Sequence, residues 1–99
     1  MTETKTILIV EDDEGIRENL AEILELSGYN TLTANNGKEG VKLAKSGHPD
    51  LILCDVMMPE LDGFGVLKII SSDPELFQIP FLFLTAKTEK SDFRKGMVL

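Results

Sequence analysis

Cysteine is almost absent: Cys54 stands alone, so no intrachain disulfide can form. Its apolar neighbours mark it as a core residue and not a nucleophile. No apolar run approaches the roughly 20 residues that cross a bilayer. Residues 1–6 are polar and lack the apolar stretch of a signal peptide. Basic residues are scarce, ten Lys and Arg against seventeen Asp and Glu, for a net charge of −7. A duplex nucleic-acid surface needs clustered Lys and Arg, so direct nucleic-acid binding is not expected. Cys and His never fall at zinc-ligand spacing. Gly63 and Gly65 follow no glycine-rich strand exit, which excludes a nucleotide loop. Repeats, low-complexity tracts and linkers are missing too. These absences point to a cytoplasmic protein with no membrane contact and a single domain over residues 1–99. The 27% of charged residues are spread along the chain beside 42% hydrophobic ones, which argues for a folded core.

Two residue periods alternate along the chain. Residues 7–10 are continuously apolar and branched, as in a strand buried on both faces. From Glu14 the period becomes helical: Ile16, Leu20, Ile23 and Leu24 fall on one stripe, and Gly28 ends the helix. Residues 29–34 read as a second strand, followed by an Asn36-Gly37 turn and a short helix marked by Val41 and Ala44. Residues 51–54 form a third strand, entered through His48-Pro49. Val66, Leu67, Ile69 and Ile70 mark a third helix that stops at Asp73-Pro74. Residues 81–84 form a fourth strand after Pro80, and residues 89–99 a fourth helix with Phe93 and Met97 inward. The order βαβαβαβα predicts right-handed crossovers and an α/β fold, a doubly wound parallel sheet covered on both faces.

In such sheets ligands bind beyond the carboxyl ends of the strands. The first strand runs into Glu11-Asp12-Asp13-Glu14, the third into Asp55 and the fourth into Thr85-Ala86-Lys87. If the first and third strands are neighbours, Asp55 meets one or two of Glu11, Asp12 and Asp13. Carboxylates that close repel one another, and a cation between them relieves this. Mg²⁺ suits such oxygen ligands and leaves room for water and phosphate oxygens. Asp55 could be a ligand only, or also a nucleophile that forms an aspartyl-phosphate. Thr85 could then supply a hydroxyl to the phosphoryl oxygens. Glu14 is expected to cap the first helix. His48 reads as a loop residue, and Glu60 and Asp62 as solvated acids.

At this point the residues match a family. The chain resembles the receiver domains of two-component response regulators. The matching pieces are Ile-Leu-Ile-Val-Glu-Asp-Asp at 7–13, Asp-Leu-Ile-Leu-Cys-Asp-Val-Met-Met-Pro at 50–59, Asp62-Gly63, and Phe-Leu-Thr-Ala at 83–86. The resemblance implies a flavodoxin-like fold. It implies that Asp55 accepts a phosphoryl group from a histidine kinase or phosphotransfer protein. Asp12 would ligate Mg²⁺ directly and Glu11 through water, with Asp13 kept as a candidate. The Met57 carbonyl would be a further ligand. Thr85 would hydrogen-bond the phosphoryl group and swing inward on activation, while Met57 and Lys87 shape the mouth of the site. The domain would not be a conventional enzyme but would catalyse its own phosphorylation and dephosphorylation.

The family continues with a fifth strand, which ends in a Lys, and a fifth helix; nothing in residues 1–99 matches that segment. The expectation is therefore a C-terminally incomplete domain of about four βα units. Its fourth strand would be a sheet edge, which invites a homodimer or a domain swap. Two other readings stand beside the switch. One is an interaction or oligomerisation module that does not switch. The other is an aspartyl-phosphate hydrolase, which would want a second acid two residues after Asp55, where Met57 stands.

Overall fold

The computed structural model describes residues 3–84. Seven elements follow in order: β1 (Thr6–Val10), α1 (Glu14–Leu26), β2 (Asn30–Ala34), α2 (Gly37–Gly47), β3 (Leu51–Asp55), α3 (Gly63–Ser71) and β4 (Phe81–Leu84). The expected helix over 89–99, with Phe93 and Met97, lies outside the described residues.

All pairings are parallel, and the strand order is β2-β1-β3-β4. The chain steps from β1 to β2 on one side and then crosses back over β1 to β3 on the other. That reversal makes the gap between β1 and β3 the topological switch point. Residues 7–10 of β1 are buried, as their unbroken apolar run predicts for a strand covered on both faces. Leu8 and Val10 sit beside Ile52 and Cys54 in register and pack with Ala44 of α2 and Val66 and Ile70 of α3. Full burial of a side chain such as Leu8 or Ile52 contributes roughly 1.5–3 kcal/mol.

Helix α1 departs from its expected stripe. Ile16, Leu20 and Leu24 are half-buried, but Ile23 is 58% exposed. Successive residues turn by about 100° around a helix. Directing Leu24 toward the sheet therefore carries Ile23 away from it. Gly28 closes the helix in the left-handed region, φ 100°, where its lack of a Cβ removes the steric cost.

His48 is the C-cap of α2 and is also in the left-handed region, with φ 43°. A side chain there is strained, whereas glycine is not. His48→Gly is expected to stabilise the fold by about 0.5–1 kcal/mol. Urea melts would show this as a higher midpoint with an unchanged slope, and a lower midpoint would refute it.

Candidate functional site

The site begins where β1 and β3 end. Val10 lies beside Cys54 in register, so the next residues, Glu11 and Asp55, emerge side by side. Both are fully buried. The Glu11 N–H donates to the Ala34 carbonyl at 3.0 Å, which carries the ladder one residue beyond β1 and fixes this backbone. One carboxylate oxygen from each of Glu11, Asp12 and Asp55 lies within 4.8 Å of the others. Asp12, half-buried, is the member of the cluster nearest to solvent.

The other two acids of the run do different work. Asp13 is the N-cap of α1: its Oδ1 accepts from the Ile16 N–H at 3.0 Å. Its own N–H donates to Glu11 Oε2 at 2.9 Å. So Asp13, a candidate ligand by sequence, faces its own helix instead of joining the cluster. Glu14, expected as the cap, is the first residue of the helix and acts there only as an acid in its first turn.

Sequence reading missed Arg17. Its Nη1 donates to the Glu11 carbonyl oxygen at 2.9 Å, back across the β1–α1 turn. Only the tertiary path of that turn brings the two together.

The loop after β3 is held tightly. The Gly63 N–H donates to the Val56 carbonyl at 2.9 Å. A Cβ on Gly63 would stand 2.3 Å from the Asp55 carbonyl oxygen and 2.9 Å from the Val56 Cα. Glycine is thus what lets α3 start directly against the backbone of Asp55. Asp62, read as a solvated acid, caps α3 by accepting from the Gly65 N–H at 2.9 Å. Met57 is 59% exposed on the loop after β3, whereas Met58 is buried in the core. Thr85 and Lys87 lie outside the described residues.

Cys54, next to Asp55, is buried, and burial pushes its thiol up to about 12. The negative charges of Asp55, Glu11 and Asp62 add to that rise. Cys54 therefore stays a neutral thiol at physiological pH.

The donor set is all carboxylate oxygen. That chemistry fits a hard divalent cation such as Mg²⁺ and does not fit Zn²⁺, which favours nitrogen and sulfur.

The model for the response regulator receiver domain matches residues 7–99. The chain belongs to that family. Polar-differentiation response regulator DivK of Brucella ovis is 42% identical over 89 residues, covering 90% of this chain and 72% of that one. Alkaline phosphatase synthesis transcriptional regulatory protein PhoP of Bacillus subtilis is 45% identical over 95 residues, covering 96% of this chain but 39% of that one. A crystal structure of the receiver domain of a Pseudomonas aeruginosa sensor histidine kinase superposes with a TM-score of 0.81 at 27% identity. The match covers 97% of this chain and 82% of that one, and a magnesium ion is coordinated in that protein's active-site cleft. This receiver domain thus has the parallel α/β sheet that its alternating periods predict and the flavodoxin-like fold that the resemblance implies, and it is homologous to response regulators of two-component signalling.

Proposed function

We propose that this receiver domain accepts a phosphoryl group on Asp55 from a histidine kinase or phosphotransfer protein, with Mg²⁺ held beside it. The observation that carries this reading is the cluster of Glu11, Asp12 and Asp55 at the switch point. Asp12 and Asp55 would ligate the ion with the Met57 carbonyl, and Glu11 would act through water. When bound, Mg²⁺ neutralises charge on the carboxylates and on the phosphoryl oxygens. An Asp55 carboxylate oxygen attacks phosphorus, an O–P bond forms, and the P–N bond to the donor histidine breaks, leaving the electron pair on nitrogen. The buried backbone of Asp55, pinned between the ladder to Leu84 and the start of α3, keeps that oxygen in place. Thr85, one residue beyond β4, would donate its hydroxyl to a phosphoryl oxygen and move inward on phosphorylation. Attack by water on the acyl phosphate reverses the state.

The test is the intact mass of the chain after incubation with Mg²⁺ and a small phosphodonor such as acetyl phosphate. A phosphoryl adduct that needs Mg²⁺ supports the proposal, and its absence at saturating donor refutes it. Mg²⁺ should also stabilise the fold. At ten times its dissociation constant it adds about 1.4 kcal/mol. For a domain of this size that raises the Tm by about 5–10 °C. A melt that does not respond to millimolar Mg²⁺ would remove the metal from the proposal.

A second reading, self-association through β4, draws on one observation. Among the described residues β4 is an outer strand, and Leu82 is 55% exposed on it. Sedimentation over a range of concentrations distinguishes a monomer from a dimer or swapped pair. Among the described residues no helix is long and apolar enough to cross a membrane. We assign the domain to the cytoplasm on its membership of the receiver-domain family.

A further inference from the structure

We infer that Arg17 is a positioning residue for the divalent cation: it sets how Glu11 and Asp12 are presented by holding the peptide that joins them. The inference rests on the metal reading of the acidic cluster given above.

Glu11 is gripped from several sides. Its N–H donates to the Ala34 carbonyl at 3.0 Å, its side-chain Oε2 accepts from the Asp13 N–H at 2.9 Å, and its carbonyl accepts from Arg17 Nη1 at 2.9 Å. The third grip differs from the others because that carbonyl belongs to the Glu11–Asp12 peptide. Its direction fixes the plane of the peptide and, through it, where the Asp12 Cα–Cβ bond points. Both residues belong to the three-carboxylate cluster. This carbonyl lies between the end of β1 at Val10 and the start of α1 at Glu14, where the chain turns from strand to helix.

Arg17 is also badly placed for its own helix. It lies four residues after the Asp13 N-cap, in the first turns of α1. A cation at a helix N-terminus opposes the macrodipole. Its half-buried position there is explained by what its side chain reaches, not by helix stability. Groups that orient metal ligands from behind usually change metal affinity by about 10–100-fold when removed.

Charge and position make opposite predictions, which gives the test its power. If Arg17 acted only through its charge, removing that cation would strengthen Mg²⁺ binding. If it positions the peptide, removing it weakens binding. Calorimetric Mg²⁺ titration of the full chain should therefore show Arg17→Met binding about tenfold more weakly than wild type. Arg17→Lys keeps the charge and one donor and should fall between the two. Amide NMR without metal should show the Asp12 and Asp13 signals moved in Arg17→Met while those of β3 stay put. Equal or tighter Mg²⁺ binding by Arg17→Met overturns the inference alone. A wild-type chain that binds no Mg²⁺ overturns the metal reading and this inference with it. If Arg17→Met does not melt cooperatively, Arg17→Lys decides: weaker binding than wild type supports positioning, and equal binding overturns it.

Discussion

Asp55→Asn should take no phosphoryl group from acetyl phosphate under conditions that label the wild type. The amide nitrogen is no nucleophile, and the remaining oxygen carries no charge. The substitution should also change stability, with a sign that depends on the metal. Two unit charges 4.8 Å apart repel by about 3.5 kcal/mol at an effective dielectric of about 20. Asp55 is fully buried, so solvent screens that repulsion little. Removing one charge from the cluster in metal-free buffer is expected to stabilise the fold by about 1–3 kcal/mol, the rest being lost to imperfect amide hydrogen bonds. With Mg²⁺ the wild type should close most of that gap, because its full ligand set remains. Thermal melts of both chains with EDTA and with Mg²⁺ check this. A wild type that melts higher than Asp55→Asn in EDTA would mean that the carboxylates stabilise one another without a metal, against the argument.

Gly63→Ala carries the largest expected structural effect. The added methyl would meet the Asp55 carbonyl oxygen at 2.3 Å and the Val56 Cα at 2.9 Å. Both are backbone atoms, so no rotamer change relieves the clash. Either α3 withdraws or the end of β3 shifts. Overpacking of this kind costs about 3 kcal/mol or more, a large share of a small domain's stability. Whatever fold survives should label poorly with phosphodonor, because the displaced atoms belong to Asp55 itself. Gly15→Ala is the control: its methyl would meet only Asp13 Oδ1, at 3.4 Å. In a helix that exchange stabilises by about 0.5–1 kcal/mol. Urea denaturation of the two variants should move in opposite directions, and parallel shifts would contradict the steric argument.

Much of this was legible in the sequence, for reasons that can be named. The continuous apolar run of β1 and the apolar stretches at 51–54 and 81–84 announce strands, and the unbroken run of β1 also announces its burial, whereas β4 leaves Leu82 exposed. Acids placed directly after Val10 and Cys54 fall where an α/β sheet opens to ligands, and the structure brings Glu11, Asp12 and Asp55 together there. The motif pieces around Asp55 reached the family itself.

The division of labour within the acidic run was not legible. Glu11, Asp12, Asp13 and Glu14 are four consecutive acids with no period to sort them. Capping and metal binding use the same residue types. The tertiary structure sorts them by where α1 begins. Asp13 is extended, φ −83° and ψ 117°, and its carboxylate is spent on the Ile16 N–H, which leaves Glu11 and Asp12 to face Asp55. Ile23 illustrates the same limit on α1, where period alone could not say which side of a broad stripe the sheet would accept.

The sequence by itself therefore determined the order of the elements through β4, the family and the place of Asp55 at the end of β3, because residue periods and strand-end placement are local properties. Only the tertiary structure decided which acids join Asp55, that Arg17 reaches back to the Glu11 carbonyl, and that Gly63 must lack a side chain. The first depends on strand order, which sets β1 beside β3, and the other two on the paths the chain takes after those strands, and no residue period records either.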